Sequence, residues 1–70
     1  MKVVAEVAGK VWKVAAQAGT QLAADDTILI LESMKMEIPV MAPHAGTVVE
    51  VLVAEGQQVE EGQAVATLRR

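Results

Sequence analysis

Residues 8–14 read AGKVWKV, and residues 45–51 read AGTVVEV. Each stretch begins with an Ala-Gly pair and then places valines two and five residues after the glycine. The two stretches lie 37 positions apart, and the same offset continues without a gap into the residues that follow. The offset aligns Gly19 with Gly56, Gln21 with Gln58, and Leu31 with Leu68.

An ungapped offset that aligns turn residues and apolar residues together predicts an internal repeat. We predict two copies of one half-motif, at residues 5–32 and 42–69, related by a pseudo-two-fold axis. Neither copy could bury its apolar face alone, so both are expected to belong to a single domain that spans residues 1–70. A domain this small buries only about 60% of the surface that its unfolded chain exposes, so its stability margin is expected to be thin.

Short apolar runs alternate with breaks that carry Gly, Asp or Gln, and these runs predict strands. The predicted strands are residues 3–7, 11–16, 27–33, 37–42, 46–54 and 64–69. Several short strands separated by frequent turns indicate an all-β barrel or sandwich, with about four strands from each copy of the repeat.

Composition excludes several classes of site. The chain has no cysteine and one histidine, His44, which argues against disulfides and against a zinc site. A net charge of −3 leaves no basic patch for phosphates, and Trp12 is the only aromatic residue, so nucleic acid is not an expected partner. No nucleophile–base set, phosphate-binding loop or metal cluster appears, which argues against an enzyme.

Membrane insertion and secretion are also not expected from the sequence. No apolar run approaches the roughly 20 residues of a membrane-spanning helix. The first residues, MKVVAEVAG, lack the pattern of a signal peptide. We therefore expect a soluble cytoplasmic protein.

Residues 31–40 read LESMKMEIPV and lie between the two copies of the repeat. The stretch joins two predicted strands, so it predicts a hairpin with Lys35 at or beside the tip. If the backbone stays extended there, Met34 and Met36 point to one face and can lie over the domain, while Lys35 projects into solvent. Methionine side chains are flexible and suit either core filling or adaptable contacts.

The motif ESMKME resembles the biotin attachment motif of biotinyl domains, the carrier modules of biotin-dependent carboxylases, whose fold is shared by lipoyl domains. The resemblance extends over VAGKVWKV, AGTQL, ILILESMKMEIPV and APHAGTVVEVLVAEGQQVEEGQAV. The chain is similar to small freestanding biotin/lipoyl attachment proteins and to the C-terminal carrier domains of acyl-CoA or urea carboxylases. The resemblance implies a flattened barrel of two four-stranded antiparallel sheets with quasi-two-fold symmetry and a modified lysine on an exposed hairpin.

The same resemblance implies a carrier and not an enzyme. A biotin protein ligase would attach biotin to Lys35, and the biotin arm would carry CO₂ between biotin carboxylase and carboxyltransferase sites. The residues implied in recognition by the ligase flank this lysine and are Glu32, Ser33, Met34, Met36 and Glu37. Four of the chain's residues depart from the commonest family pattern. Ser33 stands where alanine is usual, Asp25 stands where glycine is frequent, and Thr20 and Gln57 stand where the turn often has aspartate.

Two other functions remain open at this point. A lipoyl carrier of an oxo-acid dehydrogenase or glycine cleavage system, or a protein that accepts both cofactors, would use the same lysine; the two methionines favour biotin over lipoate. An unmodified module like the lipoyl-like domain of efflux adaptors normally carries a helical insertion in the hairpin and lacks this lysine motif. We expect a monomer, because the two copies can bury each other's apolar faces.

Overall fold

The computed structural model describes all 70 residues, which form eight strands and no helix. The strands are β1 (Lys2–Val4), β2 (Gly9–Val14), β3 (Gln21–Leu22), β4 (Thr27–Ser33), β5 (Met36–Met41), β6 (Gly46–Val51), β7 (Gln58–Val59) and β8 (Ala64–Arg69). They form two antiparallel four-stranded sheets in the orders β1-β8-β6-β3 and β5-β4-β2-β7. The predicted all-β fold of two four-stranded sheets is therefore confirmed. No helix is present that is long and apolar enough to cross a membrane.

The bounds of several predicted strands were wrong. β3 and β7 were missed, because each has only two residues and leaves no apolar run in the sequence. The run at residues 3–7 forms a strand only as far as Val4, since the next residue, Ala5, bonds with the turn at Gly62–Gln63. The run at residues 46–54 ends as a strand at Val51.

The 37-residue offset relates the strand pairings of one sheet to those of the other. In the β2–β4 ladder Val11 lies opposite Leu31, and in the β6–β8 ladder Val48 lies opposite Leu68. Each ladder contains a bulge at the same place, where one extra residue is inserted into β2 and β6. The offset therefore exchanges the two sheets, as expected for two half-motifs related by a two-fold axis.

The cross-links between the two halves repeat in the same way. The Gly19 amide donates to the Val48 carbonyl at 2.7 Å, and the Gly56 amide donates to the Val11 carbonyl at 2.7 Å. Both glycines have positive φ, 93° and 90°, a conformation that glycine adopts without steric cost. The turn at Gly19 in the first half is thus bonded to β6 of the second half, and the turn at Gly56 in the second half is bonded to β2 of the first.

The core is a single layer of aliphatic side chains between the two sheets. Fifteen buried hydrophobic residues form one cluster, and no polar or charged residue is buried. Leu31 from one sheet and its counterpart Leu68 from the other are both essentially inaccessible to solvent. Burying such a side chain contributes about 1.5–3 kcal/mol, so this layer is a major source of the domain's stability.

Strand β4 anchors the hairpin that carries Lys35. It lies between β5 and β2, and its residues Ile28, Leu29 and Leu31 are 0% exposed. β5 is an edge strand and contains Pro39, a residue that sheets accept at an edge because it has no amide to donate. The rigid inner strand therefore fixes where the tip of the hairpin lies.

Candidate functional site

The hairpin between β4 and β5 closes with a two-residue turn. Ser33 and Met36 form the last pair of the ladder, which leaves Met34 and Lys35 as the loop. Both loop residues have positive φ, 52° for Met34 and 65° for Lys35. Positive φ at both central residues is the mark of a type I′ turn, whose twist matches that of the two strands.

The backbone does not stay extended through this segment, so the condition under which Met34 and Met36 would point to one face is not met. Two-residue hairpin turns favour Asn-Gly or Asp-Gly, and a Met-Lys pair gives no such signal in the sequence. The left-handed conformation of Met34 and Lys35 is imposed by the strand ladder on both sides, which closes at Ser33 and Met36. Lys35 lies at the tip of the hairpin, as predicted.

The two methionines beside Lys35 are in solvent and do not lie over the domain. Met34 is 92% exposed, and Met36 is 64% exposed. Met34 projects from the turn, while Met36 lies beyond the last layer of the core, which ends at the Leu31–Ile38 pair. The alternative that they fill the core is therefore wrong. They are exposed apolar side chains on either side of an exposed lysine.

The Lys35 side chain is exposed and makes none of the side-chain hydrogen bonds in the structure. Its amine is free to enter the pocket of another protein. A long lysine stem ending in a nitrogen nucleophile is suited to acyl transfer once a partner removes its proton. The arrangement supports covalent attachment at a tip and offers no catalytic group of its own.

Charged residues lie one pair below the turn on the outer face of the sheet. Glu32 of β4 lies opposite Glu37 of β5 on one side and opposite Lys10 of β2 on the other. All three side chains are exposed. Ser33, by contrast, is half-buried at the base of the turn, so of the flanking residues it has the least surface to offer a partner.

Gly9 packs against the base of the hairpin, a role that the sequence analysis missed. A Cβ atom at Gly9 would lie 2.8 Å from the Glu32 carbonyl oxygen and 3.4 Å from the Ser33 Cβ. The counterpart Gly46 meets the Arg69 carbonyl oxygen in the same way, at 2.7 Å. The signal was present in the two Ala-Gly pairs, which mark a close approach of β2 to β4 and of β6 to β8.

The remaining polar candidates belong to turns. His44 contacts the Ala45 carbonyl oxygen through Nδ1 at 2.8 Å and the Met1 sulfur through Nε2 at 2.7 Å. Asp26 accepts a hydrogen bond from the Ala23 amide at 2.9 Å, and Asp25 adopts a left-handed φ of 71°. No group of three His, Cys, Asp or Glu side chains is placed to hold a metal ion.

Residues 1–68 match the family model described as "Biotin-requiring enzyme". The chain belongs to the biotin/lipoyl attachment family. This biotin/lipoyl domain is 46% identical over 68 residues to the Biotin/lipoyl attachment protein of Bacillus subtilis, an alignment that covers 97% of the chain and 93% of that protein. It is 41% identical over 64 residues to the Biotinylated protein TB7.3 homolog of Mycobacterium leprae, covering 91% and 90% of the two chains.

Solved structures place the same fold inside a large carboxylase. The urea carboxylase of Kluyveromyces lactis superimposes with a TM-score of 0.94 at 35% identity, covering 99% of this chain and 6% of that one. The two relatives that this chain covers over 90% or more of their length are named a biotin/lipoyl attachment protein and a biotinylated protein. The biotin/lipoyl domain is therefore a carrier and not an enzyme, and it is close to the carrier domains of carboxylases.

Proposed function

We propose that the biotin/lipoyl domain is a biotin carboxyl carrier and that biotin is attached to the side chain of Lys35. One observation carries this proposal. Lys35 is the second residue of a two-residue turn at the tip of the β4–β5 hairpin, exposed and free of hydrogen bonds within the chain. The other lysines are also exposed, but Lys10 and Lys13 lie within β2 and Lys2 lies within β1, so none of them is at the tip of a hairpin.

The chain's contribution to attachment is presentation of a nucleophile. The Lys35 nitrogen would attack the carbonyl carbon of an acyl adenylate held by a biotin protein ligase. A C–N bond forms, the bond from that carbon to the AMP oxygen breaks, and the amine gives up a proton. Lysine amines in water are protonated at neutral pH, so the ligase must supply the group that removes the proton.

Once attached, biotin supplies a ring nitrogen that can carry CO₂ from a biotin carboxylase site to a carboxyltransferase site. The domain then acts as a tether. It raises the effective concentration of the arm at both sites, and it needs no catalytic residue to do so. The similarity to a domain of a urea carboxylase supports this role.

Glu32 and Glu37 are proposed to steer the ligase toward the tip. Both are exposed and adjacent to the turn, and no arginine or lysine faces Glu37 in the ladder. Such a negative patch attracts a basic surface at long range, an effect that salt screens. Ser33, Met34 and Met36 complete the surface that the ligase would meet.

Lipoate is the second candidate cofactor, and the Biotin/lipoyl attachment protein of Bacillus subtilis carries both cofactors in its name. The exposed Met34 and Met36 favour biotin, because lipoyl domains usually carry other residues beside the lysine. We also propose that the carrier is a monomer, since each half buries the apolar face of the other, and that it works in the cytoplasm.

The test is the intact mass of the protein after incubation with ATP, Mg²⁺ and either biotin with a biotin protein ligase or lipoate with a lipoate ligase. The control is Lys35→Arg, which keeps the charge and cannot form the amide. A gain of one biotinyl group that is absent in Lys35→Arg supports the proposal. A gain only from lipoate moves the function to lipoyl carriers, and a gain from neither on folded protein rejects attachment.

A further inference from the structure

The outer faces of the two sheets differ at positions that the 37-residue offset relates. On the sheet that carries the hairpin, Ile30 of β4 lies opposite Pro39 of β5 and opposite Lys13 of β2, beside the bulge residue Trp12. On the other sheet, Thr67 of β8 lies opposite Lys2 of β1 and opposite Glu50 of β6, beside the bulge residue Val49. A row containing Trp, Ile and Pro thus has a counterpart containing Val, Thr and Lys.

The apolar row faces outward and is not part of the core. The neighbours of Ile30 along β4, Leu29 and Leu31, are 0% exposed, so strand alternation points Ile30 to the opposite face. Trp12 is 49% exposed, and Pro39 is exposed. We call Trp12, Ile30 and Pro39 the outer-face cluster.

Folding does not require the outer-face cluster to be apolar. The other sheet has the same strand order, the same register and the same bulge, and it forms with Thr67 and Lys2 in the related places. A tryptophan left half in water beside other apolar residues is characteristic of a surface that contacts another protein. The outer face of the second sheet therefore serves as an internal comparison for the outer-face cluster. The difference between the two faces points to a partner that contacts only the sheet with the hairpin.

We propose that the outer-face cluster is the docking surface for the ligase that acylates Lys35. This inference rests on the proposed function and adds a specific contact surface to it. Before the cofactor is attached, only the four-carbon side chain of Lys35 can extend toward the acyl adenylate in the ligase. The ligase must therefore lie close against the tip and its flanks, whereas a partner that acts later meets a longer arm and can stay farther away.

Distance along the strand brings the cluster within the footprint of such a partner. Ile30 is three residues from Ser33 in β4, which is about 10 Å in an extended strand. The charged row of Glu32 and Glu37 lies between the turn and the cluster on the same face. The complementary ligase surface would carry basic groups near its active-site mouth and an apolar pocket for Trp12 beyond them.

The first measurement is steady-state acylation by a purified biotin protein ligase with the carrier as the varied substrate. The test variant is Trp12→Val with Ile30→Thr and Pro39→Ala, which removes the large apolar groups without changing the net charge. We expect KM for the carrier to rise about tenfold or more with kcat unchanged, equivalent to a loss of at least about 1.4 kcal/mol of binding. The matched control, Val49→Ala with Thr67→Ala, keeps the net charge and should leave KM unchanged.

Two checks separate docking from folding. Thermal unfolding must show that the triple variant is folded. If it is not folded, the KM measurement is repeated with Trp12→Val alone. Acylation of Lys35 by an N-hydroxysuccinimide ester should proceed at the same rate in both proteins, because that reagent needs only an accessible amine. An unchanged KM in a folded variant overturns the proposal.

The second measurement observes docking without acylation. Trp12 is the only tryptophan, so a carrier made with 5-fluorotryptophan gives a single ¹⁹F resonance. With Lys35→Arg in place, adding unlabelled ligase should shift or broaden that resonance. A resonance unaffected by ligase at concentrations that saturate acylation of the wild type overturns the proposal.

If only a lipoate ligase acylates the wild type, biotin is rejected and both measurements use that ligase. If neither ligase acylates it, attachment and docking are rejected together.

Discussion

Glu32 in β4 and Glu37 in β5 lie directly opposite each other, one pair below the Ser33–Met36 pair that closes the hairpin. Facing like charges oppose strand pairing by about 0.2–1 kcal/mol. Lys10 faces Glu32 from β2 and offsets part of this repulsion, but the edge strand offers no such neighbour to Glu37. The hairpin therefore carries a small electrostatic penalty beside Lys35.

Reversing the charge of Glu37 should stabilise the domain and slow its acylation by the ligase. We expect Glu37→Lys to raise the free energy of unfolding by about 0.5 kcal/mol at low salt, because an opposite-charge pair replaces the repulsion. The same change should lower kcat/KM for ligase-catalysed acylation at low salt and have a smaller effect at high salt. Urea unfolding and acylation rates at two salt concentrations measure both.

Glu50→Lys is the matched control for that experiment, because it makes the same change in net charge at an exposed strand residue on the sheet that does not carry the hairpin. It should leave acylation near the wild-type rate. Equal acylation by wild type and Glu37→Lys at low salt would remove the steering role of this carboxylate.

The left-handed turn predicts that Met34 lowers stability. A non-glycine residue at positive φ costs about 1 kcal/mol or more unless its side chain suits that conformation, and asparagine suits it well. We therefore expect Met34→Asn to raise the free energy of unfolding by about 0.5–1 kcal/mol in urea titrations. Met36→Asn, placed in the adjoining strand, should lower it, since asparagine is disfavoured in strands. A lower stability for Met34→Asn would contradict the turn geometry.

The two close-approach glycines offer a comparison between positions related by the repeat. Gly9→Ala and Gly46→Ala each place a Cβ within 2.8 Å of a carbonyl oxygen on the neighbouring strand. We expect each to lower the free energy of unfolding by about 1–3 kcal/mol, the usual result of overpacking, measured by urea unfolding. Only Gly9→Ala should also slow acylation, because it displaces the base of the hairpin at Glu32 and Ser33. Equal acylation rates in the two variants would show that the base of the hairpin does not position Lys35.

The core leucines test whether the two halves contribute equally. Leu31 and Leu68 occupy related positions and are both fully buried. Leu31→Ala and Leu68→Ala should each cost about 2–5 kcal/mol, enough to leave much of a small domain unfolded at room temperature. Guanidinium or thermal unfolding followed by circular dichroism measures both; costs that differ by more than about 2 kcal/mol would argue against equivalent halves.

Local sequence signals located the long strands and the tip. The runs around Val11, Leu31 and Val48 are short, apolar and bounded by turn residues, and these features are visible in the sequence without any knowledge of partners. The position of Lys35 followed from its place between two runs that must reverse direction. The strands of two residues, β3 and β7, could not be found in this way, because only their bonds to β6 and β2 make them strands.

The sequence by itself determined the repeat, the all-β class and the presence of a lysine at the end of a hairpin. Those features depend on the spacing of residue types along the chain, which can be read directly from the sequence. Only the tertiary structure decided that Met34 and Lys35 are left-handed, that both flanking methionines lie in solvent, and that Gly9 touches the base of the turn. These features depend on which strands pair and in what register, and contacts between residues far apart in the chain set that register.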